Sequence, residues 1–338
     1  MSGLSNVQHH GVLITQAMHK KKRHLKFAMK RYLAPMRGLT EAVYRNTFSQ
    51  YFKGIHMAIS PFISTVNGKI SNRHIKDALP QNNQSMPLIP QLLSKDPAGF
   101  VCVANKLFDV GYLEINWNLG CPYAMVANKV RGCGLLPYPE MIDQFLDSVL
   151  HKISCQLSIK MRLGRFQPDE ILSVIPVLNQ YPLTMVIIHP RTGIQMYDGS
   201  PDLAQFEKCL SLSKLPVIYN GDIQHYTDQA NICKRFPSIE GIMIGRGILA
   251  NPFLAEMIDD PNVHKDWNRL KDFHDELYCQ YRNILSGPGH VLGKMKEHWK
   301  YLSQGFDDCH RILKRIQRTS SFRQYDSCVV EAFDGYLR

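Results

Sequence analysis

Cys121 is the residue of this sequence most suited to chemistry. It lies in the segment Asn118-Leu119-Gly120-Cys121-Pro122, where the flanking glycine and proline fix a turn that presents the thiol. A free thiol has a pKa of about 8.5 and is therefore mostly protonated at neutral pH. Such a group suits proton donation, whereas a nucleophile would need a lowered pKa. Cys133, between Gly132 and Gly134, is a second candidate that the sequence does not exclude.

Lys160 is the second unusual residue, because it lies in the apolar run Ser158-Ile159-Lys160-Met161. A lysine that faces a protein interior is unfavourable unless an anion is close by. It could form a Schiff base with a carbonyl substrate. It could also place fixed positive charge beside an anionic cofactor ring. A third interpretation is a lysine that only reaches the rim, and the residues alone leave all three open.

Eight short β-rich segments position these residues and alternate with helical patterns. Most are continuous apolar runs, as expected for a parallel sheet buried on both faces. The predicted strands are residues 31–36, 54–60, 86–93, 112–119, 156–163, 185–190, 215–222 and 239–247. Helices are predicted at 96–109, 139–151, 168–179 and 227–235, with Pro139 and Pro168 in first turns. Residues 62–85 should form a long loop with a short helix.

This pattern predicts an α/β protein of the (β/α)8 TIM-barrel type, which typically needs about 250 residues. A doubly wound open sheet is the alternative, but it usually has a glycine-rich turn after the first strand. The chain instead continues with Ala34-Pro35-Met36-Arg37-Gly38.

Polar residues lie at the predicted strand ends, where barrels place their catalytic groups. They include Gln91, Asn118, Lys160, His189, Arg191, Asn220-Gly221-Asp222 and Gly245-Arg246-Gly247. The last two segments offer backbone N–H groups, glycines and a guanidinium, which predicts a phosphate site between strands seven and eight. The alternative is that these glycines only make tight turns.

After Asn251 only helical patterns follow, at 267–285, 290–305, 307–320 and 327–336. The predicted organisation is therefore a basic, disordered leader at 1–27, a barrel with the catalytic site at 28–258 and a small all-helical domain at 259–338. Helices that follow a barrel cannot extend its sheet, so they should form a separate bundle.

The formal net charge is +11, but Lys20, Lys21, Lys22, Arg23, Lys26, Lys30 and Arg31 supply seven of these charges and leave +4 for the rest. A second basic zone, 294–323, carries interleaved Tyr301, Phe306 and Phe322. It indicates either phosphate binding or an ordinary charged helix face.

Composition predicts a soluble cytoplasmic protein, with 44% hydrophobic and 20% charged residues and no apolar run near the ~20 residues of a membrane span. Nine scattered cysteines without a CxxC pair predict neither a disulfide scaffold nor a metal site. The oligomeric state stays open, with a monomer expected.

Several segments together resemble the tRNA-dihydrouridine synthases of the FMN-dependent bacterial type, over about residues 29–338. The most specific is Glu114-Ile115-Asn116-Trp117-Asn118-Leu119-Gly120-Cys121-Pro122. The others begin at Ala34, Ile159, His189, Pro216 and Met243. One departure is the run Tyr123-Ala124-Met125-Val126, where many members have a lysine.

The resemblance implies a barrel that holds FMN and a helical domain that grips tRNA. The positions that would hold FMN are Pro35, Met36, Arg37, Gln91, Lys160, His189, Asn220, Gly221, Asp222, Gly245 and Arg246. Gln91 would hydrogen-bond the pyrimidine edge of the flavin, Lys160 would stabilise its reduced form, and the last five would hold the phosphate. Asn118 and Arg191 would face the RNA.

The implied reaction is reduction of the C5=C6 bond of specific uridines in tRNA. NADPH reduces the flavin, hydride passes to C6, and Cys121 protonates C5. The uracil must be extruded from its stack to reach the flavin. Which uridine is reduced is left open.

Three other functions remain possible on the residues. One is an FMN-dependent oxidoreductase of a free pyrimidine, similar to dihydroorotate dehydrogenases, although a small substrate does not require a basic helical tail. The others are a Schiff-base lyase that uses Lys160 and a non-catalytic RNA-binding protein.

Overall fold

A computed structural model describes residues 29–66, 69–70 and 72–337 of the chain. The predicted leader at 1–27 lies outside the described residues. From Arg31 onwards the described residues belong to one compact unit. None of the described helices combines the length and apolar character needed to cross a membrane.

The sheet is a closed barrel of parallel strands. Its strands are β1 Lys30–Leu33, β2 Met57–Ile59, β3 Ile63–Val66, β4 Lys69–Ile70, β5 Leu88–Ile89, β6 Gln91–Leu93, β7 Glu114–Leu119, β8 Gln156–Gly164, β9 Val186–Thr192, β10 Val217–Asn220 and β11 Gly241–Ile244. The pairing order is β4-β3-β6-β7-β8-β9-β10-β11-β1-β2-β5, and β3 and β4 pair antiparallel.

Pro90 explains why the order has two ends although the barrel is closed. It separates β5 from β6, which are halves of one extended segment, because proline has no N–H to donate to the ladder. On one side Ile89 pairs with Ile59, and on the other Gln91 pairs with Asn116. The predicted TIM barrel is thereby confirmed, and each predicted strand has a counterpart.

Strand β8 shows how the alternation of side chains builds the site. Trp117 of β7 and Ile159 and Met161 of β8 are fully buried. The Trp117 ring stacks on Phe145 at 4.1 Å. Lys160 pairs in register with Asn118 and, with period two, points to the opposite face of β8 from Ile159 and Met161, as Arg162 does. The apolar residues thus fix the strand while the polar ones face the inside of the barrel.

The helices are α1 Ala42–Tyr51, α2 Asn72–Ala78, α3 Pro97–Asp109, α4 Ala124–Ala127, α5 Pro139–Leu150, α6 Glu170–Leu178, α7 Leu203–Leu212, α8 Tyr226–Arg235, α9 Arg246–Ala250, α10 Leu254–Asp259, α11 Trp267–Ile284, α12 Gly287–Leu302, α13 Cys309–Arg318 and α14 Phe322–Phe333. Helix α3 begins after Asp96, whose carboxylate accepts from the N–H groups of Ala98 and Gly99.

Some local predictions need correction. Pro139 does occupy the first turn of α5, but α6 begins at Glu170, so Pro168 lies before it. The last helix begins at Phe322 rather than at 327. The segment 62–85 contains the predicted short helix, α2, but also the β3–β4 pair, whose two-residue second strand is too short to give a pattern.

Arg31 lies in β1, as the predicted strand 31–36 has it, and its charge is paired inside the protein. Its guanidinium is 7% exposed and donates two 2.7 Å hydrogen bonds to the carboxylate of Asp259, with a third to the carbonyl of Gly54. Arg31 thus connects β1 to α10 within the barrel.

The helices after α10 pack on the barrel through aromatic rings. Tyr44 of α1 stacks on His298 at 5.4 Å, and Phe52 contacts Phe273 edge to face at 5.1 Å. The predicted all-helical composition of the C-terminal region is confirmed. Its division from the barrel at residue 258 as a separate domain stays a prediction.

Candidate active site

A cavity of ≈ 250 Å³ opens at the carboxyl ends of the barrel strands. Each residue predicted for the site, apart from Arg191, lines it. The cavity is therefore built from the ends of strands that are far apart in sequence, as the barrel topology requires.

Asn118 holds the turn that carries Cys121. Its Oδ1 accepts from the backbone N–H groups of Gly120 at 3.0 Å and Cys121 at 2.8 Å. Its Nδ2 donates to Oε1 of Gln91 at 2.7 Å, and Gln91 Nε2 donates to Oδ1 of Asn116 at 2.8 Å. Asn118, predicted to face RNA, lines the cavity, but two of its hydrogen bonds hold the cysteine turn and a third engages Gln91.

Cys121, and not Cys133, reaches the cavity. Cys121 is 7% exposed and lines the wall, whereas Cys133 is fully buried and does not line it. Burial raises the pKa of the Cys121 thiol, and this effect exceeds the opposing ones of a backbone hydrogen bond from Tyr123 and of nearby arginines. The thiol is thus protonated at neutral pH.

Lys160 lines the cavity without an anionic partner. Among the described residues, no carboxylate lies within ion-pair distance of its ammonium and no hydrogen bond engages it. Burial, with a smaller effect of the charge of Arg162, lowers the pKa of Lys160 to about 7. An anion in the cavity would reverse this effect by stabilising the charged form.

Arg162 and Tyr197 were missed as site residues. Arg162 is 2% exposed, donates to the carbonyl of Thr192 at 2.8 Å and lies 5.4 Å from the Tyr197 ring centroid. Arg246 approaches the same ring at 4.7 Å. The signal for Arg162 was its spacing of two from Lys160, which places both on one strand face. Tyr197 lies in the loop after β9 and carried no sequence signal.

Arg191 lies behind the cavity wall rather than in it. It is 1% exposed and binds the Asp222 carboxylate through two nitrogens, at 2.9 and 2.5 Å. It also donates to the carbonyls of Asp198 and Gly199. The prediction that Arg191 faces RNA does not fit this placement, because its donors are already occupied inside the protein.

Asp222 therefore organises the arginines and does not offer its carboxylate to a phosphate. Its second partner is Arg246, at 2.5 Å. Together the two arginines hold the pKa of Asp222 below its ordinary value, against the opposing effect of burial. Arg246, which lines the cavity, remains as the cation for an anionic ligand.

His189 also lines the cavity and is an uncharged hydrogen-bond donor. Arg191 can only donate, so His189 Nε2, 3.2 Å away, accepts and its proton lies on Nδ1. Burial and, to a smaller extent, four neighbouring cations hold the pKa of His189 well below 6.5. The ring is thus uncharged at neutral pH.

The glycines have a packing role of their own. A Cβ on Gly245 would lie 3.2 Å from Cβ of Ala34, and one on Gly221 would lie 3.0 Å from the Tyr219 hydroxyl oxygen. Gly245 immediately precedes α9, whose first N–H groups have no partner within the helix. Gly245 can therefore serve both purposes: it allows close packing against Ala34, and it leaves the N–H groups at the start of α9 accessible to an anion.

Residues 32–333 match the family described as "Dihydrouridine synthase (Dus)". The chain belongs to this family. Members of the family reduce uridines in tRNA, so the chain is an oxidoreductase.

Named relatives cover most of the chain. "tRNA-dihydrouridine synthase B" of Pasteurella multocida is 27% identical over 261 residues, 74% of this chain and 78% of that protein. "tRNA-dihydrouridine(16) synthase" of Pseudomonas putida is 27% identical over 303 residues, 85% and 92% of the two chains.

Solved structures share the barrel fold at low identity. The old yellow enzyme homologue of Zymomonas mobilis has a TM-score of 0.50 at 10% identity and matches 70% of this chain and 90% of its own. Histamine dehydrogenase from Rhizobium sp. 4-9 has a TM-score of 0.53 at 10% identity, with 73% of this chain and 46% of the other covered. The chain thus spans about half of that second protein.

The cavity fits the flavin phosphate that the family resemblance implies. Three of its cations, Arg37, Lys160 and Arg162, have no ion-pair partner among the described residues, whereas its carboxylates are already paired, Asp222 with Arg191 and Arg246 and Glu297 with Lys300. An excess of unpaired positive charge suits an anionic ligand. Across the described residues, no group of three or more His, Cys, Asp or Glu side chains is arranged to hold a metal ion.

The helical region completes the cavity. Glu297 and Tyr301 of α12 line it, and neither was predicted for the site. Tyr301 stood in the second basic zone, where the sequence could not show that α12 reaches the barrel mouth.

The second basic zone is only partly available to a ligand. Lys294, Lys300, Arg311 and Arg315 pair with carboxylates, and Lys296 donates to the carbonyl of Thr319. Within the described chain, this leaves three exposed cations of the zone without an ion pair: Lys314, Arg318 and Arg323.

Proposed function

We propose that this protein is a tRNA-dihydrouridine synthase that holds FMN in the barrel cavity and uses NADPH as reductant. The observation that carries the proposal is that one cavity contains both a protonated thiol, Cys121, on a fixed turn and a lysine, Lys160, that has no anionic partner among the described residues. Bound FMN supplies the hydride for C6 of the uracil.

Cys121 delivers the proton to C5 of the uracil. The raised thiol pKa keeps that proton in place at neutral pH, and Asn118 fixes the direction from which it is delivered. Hydride and proton together saturate the C5=C6 bond, and the resulting thiolate takes up a proton from solvent.

The cofactor is oriented by groups around the barrel mouth. Lys160 places positive charge beside the flavin ring, and Gln91 hydrogen-bonds its pyrimidine edge with the donor and acceptor capacity that Asn116 and Asn118 leave free. Arg246, with the N–H groups at the start of α9, holds the phosphate. Pro35, Met36 and Arg37 form a wall against the ring.

The helical region binds the tRNA from the side of α12. Arg162 and Tyr197 hold the extruded uracil, and Lys314, Arg318 and Arg323 contact phosphates. The proposal includes a cytoplasmic location, where tRNA and NADPH are both present, and a monomer. All nine cysteines are free thiols, as in a reducing compartment.

The visible absorption spectrum of the purified protein is the first test. A flavin spectrum that bleaches with NADPH and recovers on addition of unmodified tRNA, with dihydrouridine in the digested RNA, is expected. Recovery with orotate or uracil but not with tRNA would instead support a free-pyrimidine enzyme. A colourless protein that FMN does not reconstitute would contradict the proposal and return Lys160 to a Schiff-base role.

A further inference from the structure

A second cavity lies beside the catalytic cavity and shares one wall with it. Its volume is ≈ 660 Å³, and the shared wall consists of Arg37, Pro61 and Phe62. The other walls come from α1, α2, the 3-10 turn Pro80–Asn82, the end of α11 and Lys294 of α12. A chain molecule with one unit in the catalytic cavity can therefore place its next unit here.

Five carboxamides line this second cavity beside its charged side chains: Asn46, Gln50, Gln81, Asn82 and Gln280. Asn46 Nδ2 donates to the carbonyl of Asn82 at 2.8 Å, which holds α1 against the 3-10 turn. Gln50 and Gln81 are exposed, and no described residue hydrogen-bonds their side chains. A carboxamide carries donors and an acceptor together and is the side chain that pairs with base edges.

The charges of the second cavity also favour RNA. Glu41 is paired with Lys294 at 2.5 Å, and Asp77 with the buried Arg45 at 3.2 Å, so neither carboxylate is free to repel a phosphate. Arg37 and Lys76 have no ion-pair partner among the described residues. Their positive charge is therefore available to the RNA backbone.

Phe62 offers a ring at the passage between the two cavities. The guanidinium of Arg37 lies 5.8 Å from its centroid. Aromatic rings beside cations are the usual platforms for unstacked bases. A base extruded into the catalytic cavity leaves its neighbour without a stacking partner, and this ring can replace that partner.

We propose that the second cavity binds the nucleotide next to the target uridine in the same RNA strand, an inference that rests on the proposed function. Gln50 and Gln81 contact the edge of the neighbouring base, and Arg37 contacts the phosphate between the two nucleotides. The cavity thereby selects the sequence context in which a uridine is reduced.

The double variant Q50E/Q81E tests this subsite, because it keeps side-chain size but removes two sets of donors and adds two negative charges. We expect a rise of about tenfold in KM for unmodified tRNA, the order of one lost base contact. Flavin content and the rate of flavin reduction by NADPH should stay within twofold of the wild type. The control is Q144E/Q180E, two exposed glutamines on the outer side of the barrel at α5 and after α6.

A tRNA with an abasic residue on the 5′ or the 3′ side of the target uridine gives the matching test. For the wild type, KM for one of these two substrates should be about tenfold higher than KM for intact tRNA. For Q50E/Q81E, the missing base should raise KM little further, since the substitution and the missing base remove the same interaction.

A KM for Q50E/Q81E within twofold of that for Q144E/Q180E would overturn the subsite. An equal loss in the NADPH half-reaction would also overturn it and assign the cavity to the dinucleotide. A wild-type protein that forms no dihydrouridine would overturn the proposed function and the subsite together, and this outcome is distinguishable because the control is then inactive too.

Discussion

The barrel mouth and the helical region bury polar side chains in opposite ways. In the helical region, His274 is 2% exposed, with Nε2 2.8 Å from the Tyr325 hydroxyl and Nδ1 2.8 Å from Asp275. Trp299 donates its indole N–H to the same hydroxyl at 2.8 Å. At the barrel mouth, the half-buried Lys160 and the buried Arg162 line the cavity without a carboxylate partner in the described chain.

The buried polar groups of the helical region therefore stabilise the fold, whereas the cations at the barrel mouth are available to bind a ligand. A satisfied buried network contributes to stability and fixes one packing arrangement. Buried cations without anions weaken the fold, and proteins retain such groups where function requires them. The contrast predicts that substitutions in the two regions will have effects of different kinds.

Cys121→Ala should have the largest effect, and on activity alone. Loss of the proton donor is expected to lower the rate of dihydrouridine formation by about 10²–10⁴, while flavin content and thermal stability change little. The assay is nucleoside analysis of tRNA after a timed reaction. Cys133→Ala is the matched control and should retain dihydrouridine formation. An equal loss in both variants would remove the distinction between the two cysteines.

Asp222→Asn should break the ion pairs that hold Arg191 and Arg246 at the barrel mouth. Arg191 is 1% exposed and would lose its anion, at a cost of about 3 kcal/mol in the free energy of unfolding. Denaturant unfolding measures this change. Glu207→Gln, which removes an exposed partner of Arg235, should cost less than about 0.5 kcal/mol. Equal costs would mean that burial of Arg191 has no energetic consequence.

Tyr325→Phe should weaken the helical region without altering the chemistry. The indole N–H of Trp299 and the ring of His274 would lose their shared partner, which costs about 1–3 kcal/mol. The melting temperature should fall while activity per folded molecule at 25 °C is unchanged. Tyr226→Phe, at an exposed tyrosine, serves as control. A fall in activity per folded molecule would contradict this prediction, because it would show that the Tyr325 network also affects the barrel mouth.

Lys160→Met should change stability in the opposite direction from the other substitutions, and only where the lysine is charged. The pKa of Lys160 is about 7 in the folded protein and about 10.4 when unfolded. Its destabilising effect is therefore fully present below pH 7 and disappears as the pH rises to about 10. Flavin-free Lys160→Met should thus exceed the wild type in stability most clearly near pH 6, while it binds FMN more weakly.

Unfolding of both flavin-free proteins by urea between pH 6 and pH 10 measures this difference. A stability difference that does not vary with pH would show that the Lys160 ammonium is not enclosed in the folded state.

The sequence by itself determined the strands and the turn at Cys121. Apolar runs of strand length, separated by helical patterns, specify a parallel sheet because each such strand must be covered on both faces. Gly120, Cys121 and Pro122 specify a turn through local backbone preferences. For the same reason the strand-end residues could be predicted to meet, since parallel strands bring their carboxyl ends together.

Only the tertiary structure decided which charges are paired and which are open. Arg31 and Arg191 are occupied by Asp259 and Asp222, partners that are 228 and 31 positions away in the chain. Tyr301 reaches the barrel mouth, and the second cavity forms, because α11 and α12 pack against α1. Such pairings depend on distances in space that no local pattern encodes, whereas strands and turns depend on neighbours in the chain.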